Sequence, residues 1–405
     1  MCASRRILIV TSGPLCRNPR PWKEAVTLSE AGFEVTVLSV FATEEYIAQD
    51  AALLAASRVR QIWLRPGASA LARHWHRVHI GLARYAVAHL RRQCPLVLGP
   101  AQALLARIRT LPADLTIVHN EAPLWAGRQL LNEGRRIAAD FEDWYSEDLL
   151  PVNRRGRPMQ LLRSLERDLL HRGVYVSTTS QALADALHRT YGGRLPRVVI
   201  NAFPQQVLPA QISLNATPSF FWFSQTIGPG RGLEPFLAAW AATRVPSRLV
   251  LLGKPRPPYR ERLIRLLPEA RRAEVEFRDP VSPLALPAMI ARHDIGLALE
   301  PTDPPSRNLT ITNKFFQYLN AGLAIIASDT AGQREAFAAA PHIGEIVSLA
   351  NPALLATRLD ALLGDPHRLT GMKAAARRAA ETHFGWDKTA PWLLRFVEEA
   401  CAASW

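Results

Sequence analysis

A chain of 405 residues with 48% apolar content is long enough for two or three domains with sizeable cores. Its formal charge of +14, carried mostly by arginine, favours an anionic partner such as a nucleotide, a phosphate, a nucleic acid or an acidic membrane surface; a GC-rich genome gives the same Arg and Ala richness. No stretch approaches the roughly 20 apolar residues of a spanning helix, and Cys2, Cys16, Cys94 and Cys401 lie too far apart to suggest a zinc site or a disulfide framework.

The first apolar run, Ile7 to Val10, is too short for a signal peptide and reads as a strand. With the cysteine usage, this makes the cytoplasm the expected location. A polar loop from Thr11 to Arg20, a helical stretch from Pro21 to Ala31 stopped by Gly32, and a strand from Val35 to Val40 complete a βαβ unit. Further strands are expected at 115–118, 136–140 and 174–178, so a first α/β domain covers 1–200. Residues 68–110 interrupt the alternation with a basic, helix-periodic insertion in which Trp75, Tyr85 and Leu71 stand among Arg73, Arg77, Arg84, Arg91 and Arg92. Such a mixture suits an interfacial helix on an acidic membrane surface, and equally a solvated helix packed on its own domain. His74, His76 and His79 project to different sides of that helix, so no metal is assigned to them.

Residues 201–218 lack periodicity and read as an inter-domain linker. A second series of strands follows at 220–224, 249–253, 275–277, 295–299 and 323–327, alternating with helices, which gives a second domain over 219–380. The expected fold class is therefore α/β, with two doubly wound Rossmann-like parallel sheets facing a cleft and ligand at the carboxyl ends of the strands. Residues 381–405 read as a terminal helix.

Two loops of the second domain carry the chemistry. Ser224 to Glu234 runs from strand to helix through Gly228, Gly230 and Gly232, with Arg231 between the last two. Small residues let backbone approach a phosphate, and arginine pairs with it bidentately. In the stretch Thr310 to Asp329, Asn313 is expected to cap a helix, Gly322 to end it, and Leu323 to Ala327 to form a buried strand. Thr310, Thr312 and Lys314 beside a helix N-terminus make a second anion-binding element.

These elements, in this order over essentially the whole chain, resemble nucleotide-sugar-dependent glycosyltransferases of the two-domain GT-B fold, specifically retaining family 4. The resemblance rests on Gly13 with Asn18-Pro19-Arg20, the segment 114–119, Asp140 to Asp143, Thr179-Ser180, Val199 to Asn201, Arg231-Gly232, Asn313 to Ser328 and Phe384 to Asp387. It implies a donor site for a nucleoside diphosphate sugar at Gly13, Gly230, Arg231, Gly232, Lys254, Thr310, Thr312, Asn313, Lys314 and Gln317. It also implies that the terminal helix crosses back onto the first domain, and that the sugar passes to a saccharide, lipid-linked or small-molecule acceptor. In such enzymes the donor's own phosphate assists, and neither a metal nor a further cofactor is required. His119, Glu142, Asp143 and Glu300 are the candidate catalytic residues.

The chain departs from the family where two glutamates normally stand eight positions apart, since Leu309 and Gln317 occupy those places. An amide both donates and accepts, so Gln317 partly serves a ribose diol, or is a satisfied interface residue. Glu300 is the candidate substitute for the first glutamate. His119 is equally read as a structural histidine, and Glu142, Asp143, Glu147 and Asp148 as acceptor ligands or a solvated loop. Two alternatives stay open: a nucleotide-sugar epimerase of the same fold, with His119, Glu142 and Asp143 as its acid/base groups, and a degenerate binding partner of an active transferase. A nucleic-acid partner is not expected, because no basic-aromatic repeat accompanies the charge. The expected setting is cytoplasmic, peripheral on the inner face of the plasma membrane.

Overall fold

The computed structural model describes residues 5–65, 70–207, 209 and 211–402. Cys2 and residues 68 and 69 of the basic insertion lie outside the described residues, as do the side chains of Leu71, Ala72, Arg73, His76 and Arg77. The chain divides into two compact units, one of residues 1–199, 304–306 and 390–405, the other of 200–303 and 307–389.

The first unit runs β1 (Arg6–Thr11), α1 (Pro19–Glu30), β2 (Glu34–Val40), α2 (Glu44–Leu54), β3 (Arg60–Leu64), α3 (Ala70–Leu90), α4 (Ala101–Arg109), β4 (Leu115–His119), α5 (Glu121–Asn132), β5 (Ile137–Phe141), α6 (Met159–Arg172), β6 (Val176–Thr178), α7 (Gln181–Tyr191) and β7 (Arg197–Val198). Its seven strands are parallel, in the order β3-β2-β1-β4-β5-β6-β7. Ile7, Leu8, Ile9 and Val10 are fully buried, as continuous apolar runs must be when helices cover both faces of a sheet.

The second unit runs β8 (Ser219–Ile227), α8 (Leu233–Ala241), β9 (Arg248–Pro255), α9 (Pro257–Arg265), α10 (Glu269–Arg272), β10 (Val275–Arg278), α11 (Leu286–Ile290), β11 (Ile295–Ala298), α12 (Pro305–Leu309), α13 (Asn313–Asn320), β12 (Ala324–Ser328), α14 (Ala331–Ala339), β13 (Gly344–Val347), α15 (Pro352–Leu363), α16 (Pro366–Thr382) and α17 (Trp386–Ala402), whose later residues group with the first unit. Its six parallel strands lie in the order β10-β9-β8-β11-β12-β13. One face of the sheet packs Phe220, Trp222, Phe236 and Trp240; the other packs Phe221, Phe315, Phe316 and Tyr318. Gly296 is small because α13 crosses it: a Cβ there would lie 2.2 Å from the Tyr318 ring.

In both sheets the strand order reverses beside the first strand, between β1 and β4 and between β8 and β11. Loops leave a sheet in opposite directions at such a point and open a crevice at the carboxyl ends of the strands. That topology places the loops after β1, β4, β8 and β11 where ligands bind.

Several elements differ from the sequence reading. β3, β7 and β13 were not expected; β3 is an edge strand whose residues are only half-buried, so its pattern is diluted, and β7 has two residues. α1 starts at Pro19 rather than Pro21, since proline is favoured in a helix's first turn. Residues 201–218, expected as a linker, are tied to the second unit: Pro204, Pro209 and Ser213 offer carbonyls to Asn320, Arg377 and Lys373, and Asn215 binds Asp294.

Candidate functional site

In the second unit, β8 turns into α8 through Gly228 to Gly232. Gly230 and Gly232 adopt φ of +77° and +70°, a conformation costly for residues with a Cβ. Gly232 is also confined, because a Cβ there would lie 2.8 Å from Leu349 Cδ1 and 3.0 Å from Leu299 Cβ; at Gly230 it would meet nothing within 4 Å. The turn carries Arg231 towards the end of β11.

There, Glu300 is 1% exposed and is the centre of a cationic cluster. Lys314 Nζ lies 2.7 Å from its Oε1, while Arg231 and Arg307 place guanidinium nitrogens 3.5 and 4.0 Å from its Oε2. Its backbone is pinned as well: the amide donates to Ser328 Oγ at 2.7 Å, that hydroxyl donates to the Glu300 carbonyl at 2.6 Å, and Gln333 Nε2 donates to the same hydroxyl. Burial would raise the Glu300 carboxyl, but Lys314, Arg231 and Arg307 outweigh it and hold the group below the usual glutamate value. Burial lowers Lys314, and although Glu300 opposes this, Arg231 reinforces it. Three cations, from Lys314, Arg231 and Arg307, thus converge on one buried carboxylate.

Helix α13 begins beside this cluster. Asn313, expected as its cap, is its first helical residue; Thr312, with extended φ and ψ of −74° and 155°, is the cap and makes no side-chain capping bond. The first-turn amides are therefore not closed by a side chain of the cap, and Asn313 Oδ1 is buried without a hydrogen-bond partner among the described residues. The 309–310 segment is packed against α14, where a Cβ on Gly332 would lie 2.5 Å from the Thr310 carbonyl oxygen. Gln317 is half-buried one turn after Asn313, on the same face of α13. Lys254 is exposed at the end of β9, paired in register with Thr226. Of the residues picked out in the sequence, the structure thus brings the donor-side Arg231 and Lys314 together with the catalytic candidate Glu300 in one cluster. Arg307 was missed, though a basic residue in the proline-rich loop after Glu300 was the available signal.

The first unit holds a second concentration of charge at the ends of β4 and β5. His119, 1% exposed, has Nε2 2.6 Å from Glu24 Oε2 and Nδ1 3.8 Å from Asp140 Oδ1, and Nδ1 has no hydrogen-bond partner among the described residues. Asp140 accepts from Arg20 Nε at 2.8 Å and NH2 at 2.6 Å, and from Ser177 Oγ at 2.6 Å. Burial works against its charge, yet Arg20 and His119 hold it below the usual aspartate value. His119 behaves inversely: burial would lower it, and Glu24 carries it above the ordinary histidine value. Burial, and after it Asp143, pushes Glu142 up to about 7. Burial and then Arg20 bring Lys23 well below the ordinary lysine range. Lys23 and Glu24 were missed because charges at spacings of three and four on an amphipathic helix read as a solvated face; here that face turns inward.

Gly13 stands two residues past β1, in the same loop region. Asn120, immediately after His119, has φ of +68° and accepts from Thr11 Oγ at 3.0 Å and the Ser12 amide at 3.2 Å, tying the β1 and β4 loops together. Among the described residues no three His, Cys, Asp or Glu side chains stand close enough to hold a metal, and no described helix is long and apolar enough to cross a membrane.

Residues 231–395, which include Arg231, Glu300, Arg307 and Lys314, match a family described as glycosyl transferase-like. No match was found among curated protein sequences. Among solved structures, the chain is similar to sucrose-phosphate synthase from Thermosynechococcus elongatus (16% identity, TM-score 0.71, covering 99% of this chain and 100% of that one). It is similar also to HepE of Anabaena in complex with UDP and glucose (16%, 0.68, 97% and 99%). A third is a putative UDP-N-acetylglucosamine 2-epimerase from Listeria monocytogenes (12%, 0.60, 98% and 96%). The two parallel-sheet units match the GT-B fold.

Proposed function

We propose that this protein is a glycosyltransferase that moves a hexose-type sugar from a nucleoside diphosphate sugar to a saccharide, lipid-linked or small-molecule acceptor, with retention at the anomeric carbon. The observation that carries this reading is the cluster of Arg231, Arg307 and Lys314 around buried Glu300, at the strand-order reversal of the unit that matches the glycosyl transferase-like family. Arg231 and Lys314 suit the oxygens of a diphosphate, and the amides at the start of α13 add donors.

In this reading Arg231 and Lys314 neutralise the charge that develops on the leaving diphosphate as the bond from the sugar's anomeric carbon to phosphate oxygen breaks. The acceptor oxygen forms the new bond to that carbon, and its proton passes to the donor phosphate. Glu300 acts by positioning the cations, since its depressed pKa keeps it ionised near neutral pH. Gln317 and Lys254 serve the ribose and base, while His119, Glu142 and Asp143 serve the transferred sugar or the acceptor. HepE crystallised with UDP and glucose supports a uridine nucleotide as the first donor to try.

A second reading, a nucleotide-sugar epimerase, draws on Glu142, whose pKa of about 7 suits a general acid or base, and on the likeness to the Listeria protein. Thermal-shift screening against sugar nucleotides tests the donor assignment, because a ligand bound to the folded state raises its melting temperature. Product analysis then separates the readings: a transferase releases nucleoside diphosphate, whereas an epimerase returns an isomeric sugar. A protein stabilised by none of the panel contradicts both.

A further inference from the structure

We propose that the first unit carries a separate anion site, built from Arg84, Arg155 and Arg157, that receives the phosphate head of an amphiphile. These residues, with Tyr85 and Asn153, line a cavity of about 440 Å³, within the range of small-molecule sites.

The sequence builds it in two pieces. Ala83 and Val87 of α3 pack against Val97, which turns Arg84 and Tyr85 outward. The second piece is the loop 153–157, where Gly156 has φ of +78° and lies so close that a Cβ there would be 3.6 Å from the Arg84 carbonyl oxygen. Gln93 accepts from the Leu161 amide at 3.0 Å and fixes the segment after α3 to α6.

Charge and surface then point to the ligand. Arg157 is ion-paired with Glu121, whereas neither Arg84 nor Arg155 has an ion-pair partner among the described residues, so two guanidinium charges face the cavity unneutralised. Guanidinium forks match phosphate oxygens. Beside them stand largely exposed hydrophobic side chains: Leu82 and Tyr85 on α3 at 61% and 60% exposure, and Val152, next to Asn153, at 79%. A phosphorylated sugar free in water would need the arginines but not that apolar border; a phosphate carrying a hydrocarbon tail uses both. Binding of such a head requires nothing from the Glu300 cluster. That the amphiphile is the sugar acceptor rests on the transferase reading.

The test is co-sedimentation of the full chain with phosphatidylcholine vesicles containing or lacking phosphatidic acid, beside calorimetry with water-soluble glycerol phosphate. The expected result is binding that depends on phosphatidic acid, is competed by glycerol phosphate, and is weakened about 30-fold in Arg84→Ala/Arg155→Ala. Arg58→Ala/Arg189→Ala, with the same net charge, binds as the wild type does. Val152→Asp weakens vesicle binding but leaves glycerol phosphate binding intact, an independent check should the double variant melt early. The proposal is overturned if the Arg84/Arg155 variant binds vesicles like wild type, or if both double variants lose binding equally. It is also overturned if glycerol phosphate binds while phosphatidic acid vesicles do not. None of these outcomes depends on sugar-nucleotide turnover.

Discussion

Lys314 Nζ lies 2.7 Å from Glu300 Oε1, and both side chains are buried. The pair joins the loop after β11 to the first turn of α13, so one contact is both a structural link and the base of the cation cluster. Removing one partner of a buried pair strands the other charge. Glu300→Ala is therefore expected to lower stability by about 3–5 kcal/mol, read from denaturant unfolding, with Glu300→Gln less severe because the amide still accepts from the lysine. Unaltered unfolding of Glu300→Ala would contradict the geometry.

Lys314 sits below the ordinary lysine value because it is buried and shares its carboxylate with two arginines. Its charge is lost as the pH rises through that depressed value. Affinity for UDP, measured by calorimetry, should then fall as the pH rises towards the ordinary lysine value of about 10.4, and Lys314→Arg should flatten the fall, since a guanidinium does not deprotonate there. A wild-type affinity that ignores pH over this rise would count against Lys314 as a diphosphate ligand.

Gly230 and Gly232 separate backbone strain from packing. Gly230→Ala meets open space and pays for its positive φ alone, about 1–2 kcal/mol. Gly232→Ala adds overlap with Leu349 and Leu299, and should cost about 1–3 kcal/mol more. Equal melting temperatures for the two variants would show that the turn relaxes freely.

Much of this was legible in the sequence, for physical reasons that can be named. The parallel strands were visible because burial on both faces demands unbroken apolar runs, as in Ile7 to Val10 and Ala324 to Ala327. Arg231 and Lys314 were visible because glycine-rich turns and helix starts have recognisable compositions. What stayed hidden depends on long-range proximity. Nothing local links Glu24 to His119 across 95 residues, or marks Arg84 and Gly156 as neighbours. The cap assignment at Asn313 failed by one residue because Thr312 and Asn313 are both competent caps, and backbone angles decide between them.

Glu166 offers a pH prediction in the first unit. It is 1% exposed, accepts from the Ser146 amide and Tyr191 hydroxyl at 2.8 Å each, and burial raises its pKa to about 7. Because the folded value lies above the unfolded one, the stability it contributes is complete below the unfolded pKa and is lost as pH climbs to about 7. Unfolding free energies from denaturant titration should drop between about pH 5 and about pH 8 by up to roughly 3 kcal/mol, with Glu142 adding to the trend. Glu166→Gln should remove its share while keeping the acceptor for Ser146. A slope identical to that of wild type would place the effect elsewhere.

The central claim is that the cluster around Glu300 binds the diphosphate of a sugar-nucleotide donor and stabilises it as it leaves. The most direct measurement is release of nucleoside diphosphate from a panel of sugar nucleotides, by wild type and by Arg231→Ala. Turnover by wild type, with kcat reduced about 10²–10³-fold in the variant, is the predicted result. A wild-type protein that releases nucleoside diphosphate from none of them, or an Arg231→Ala variant as active as wild type, would contradict it.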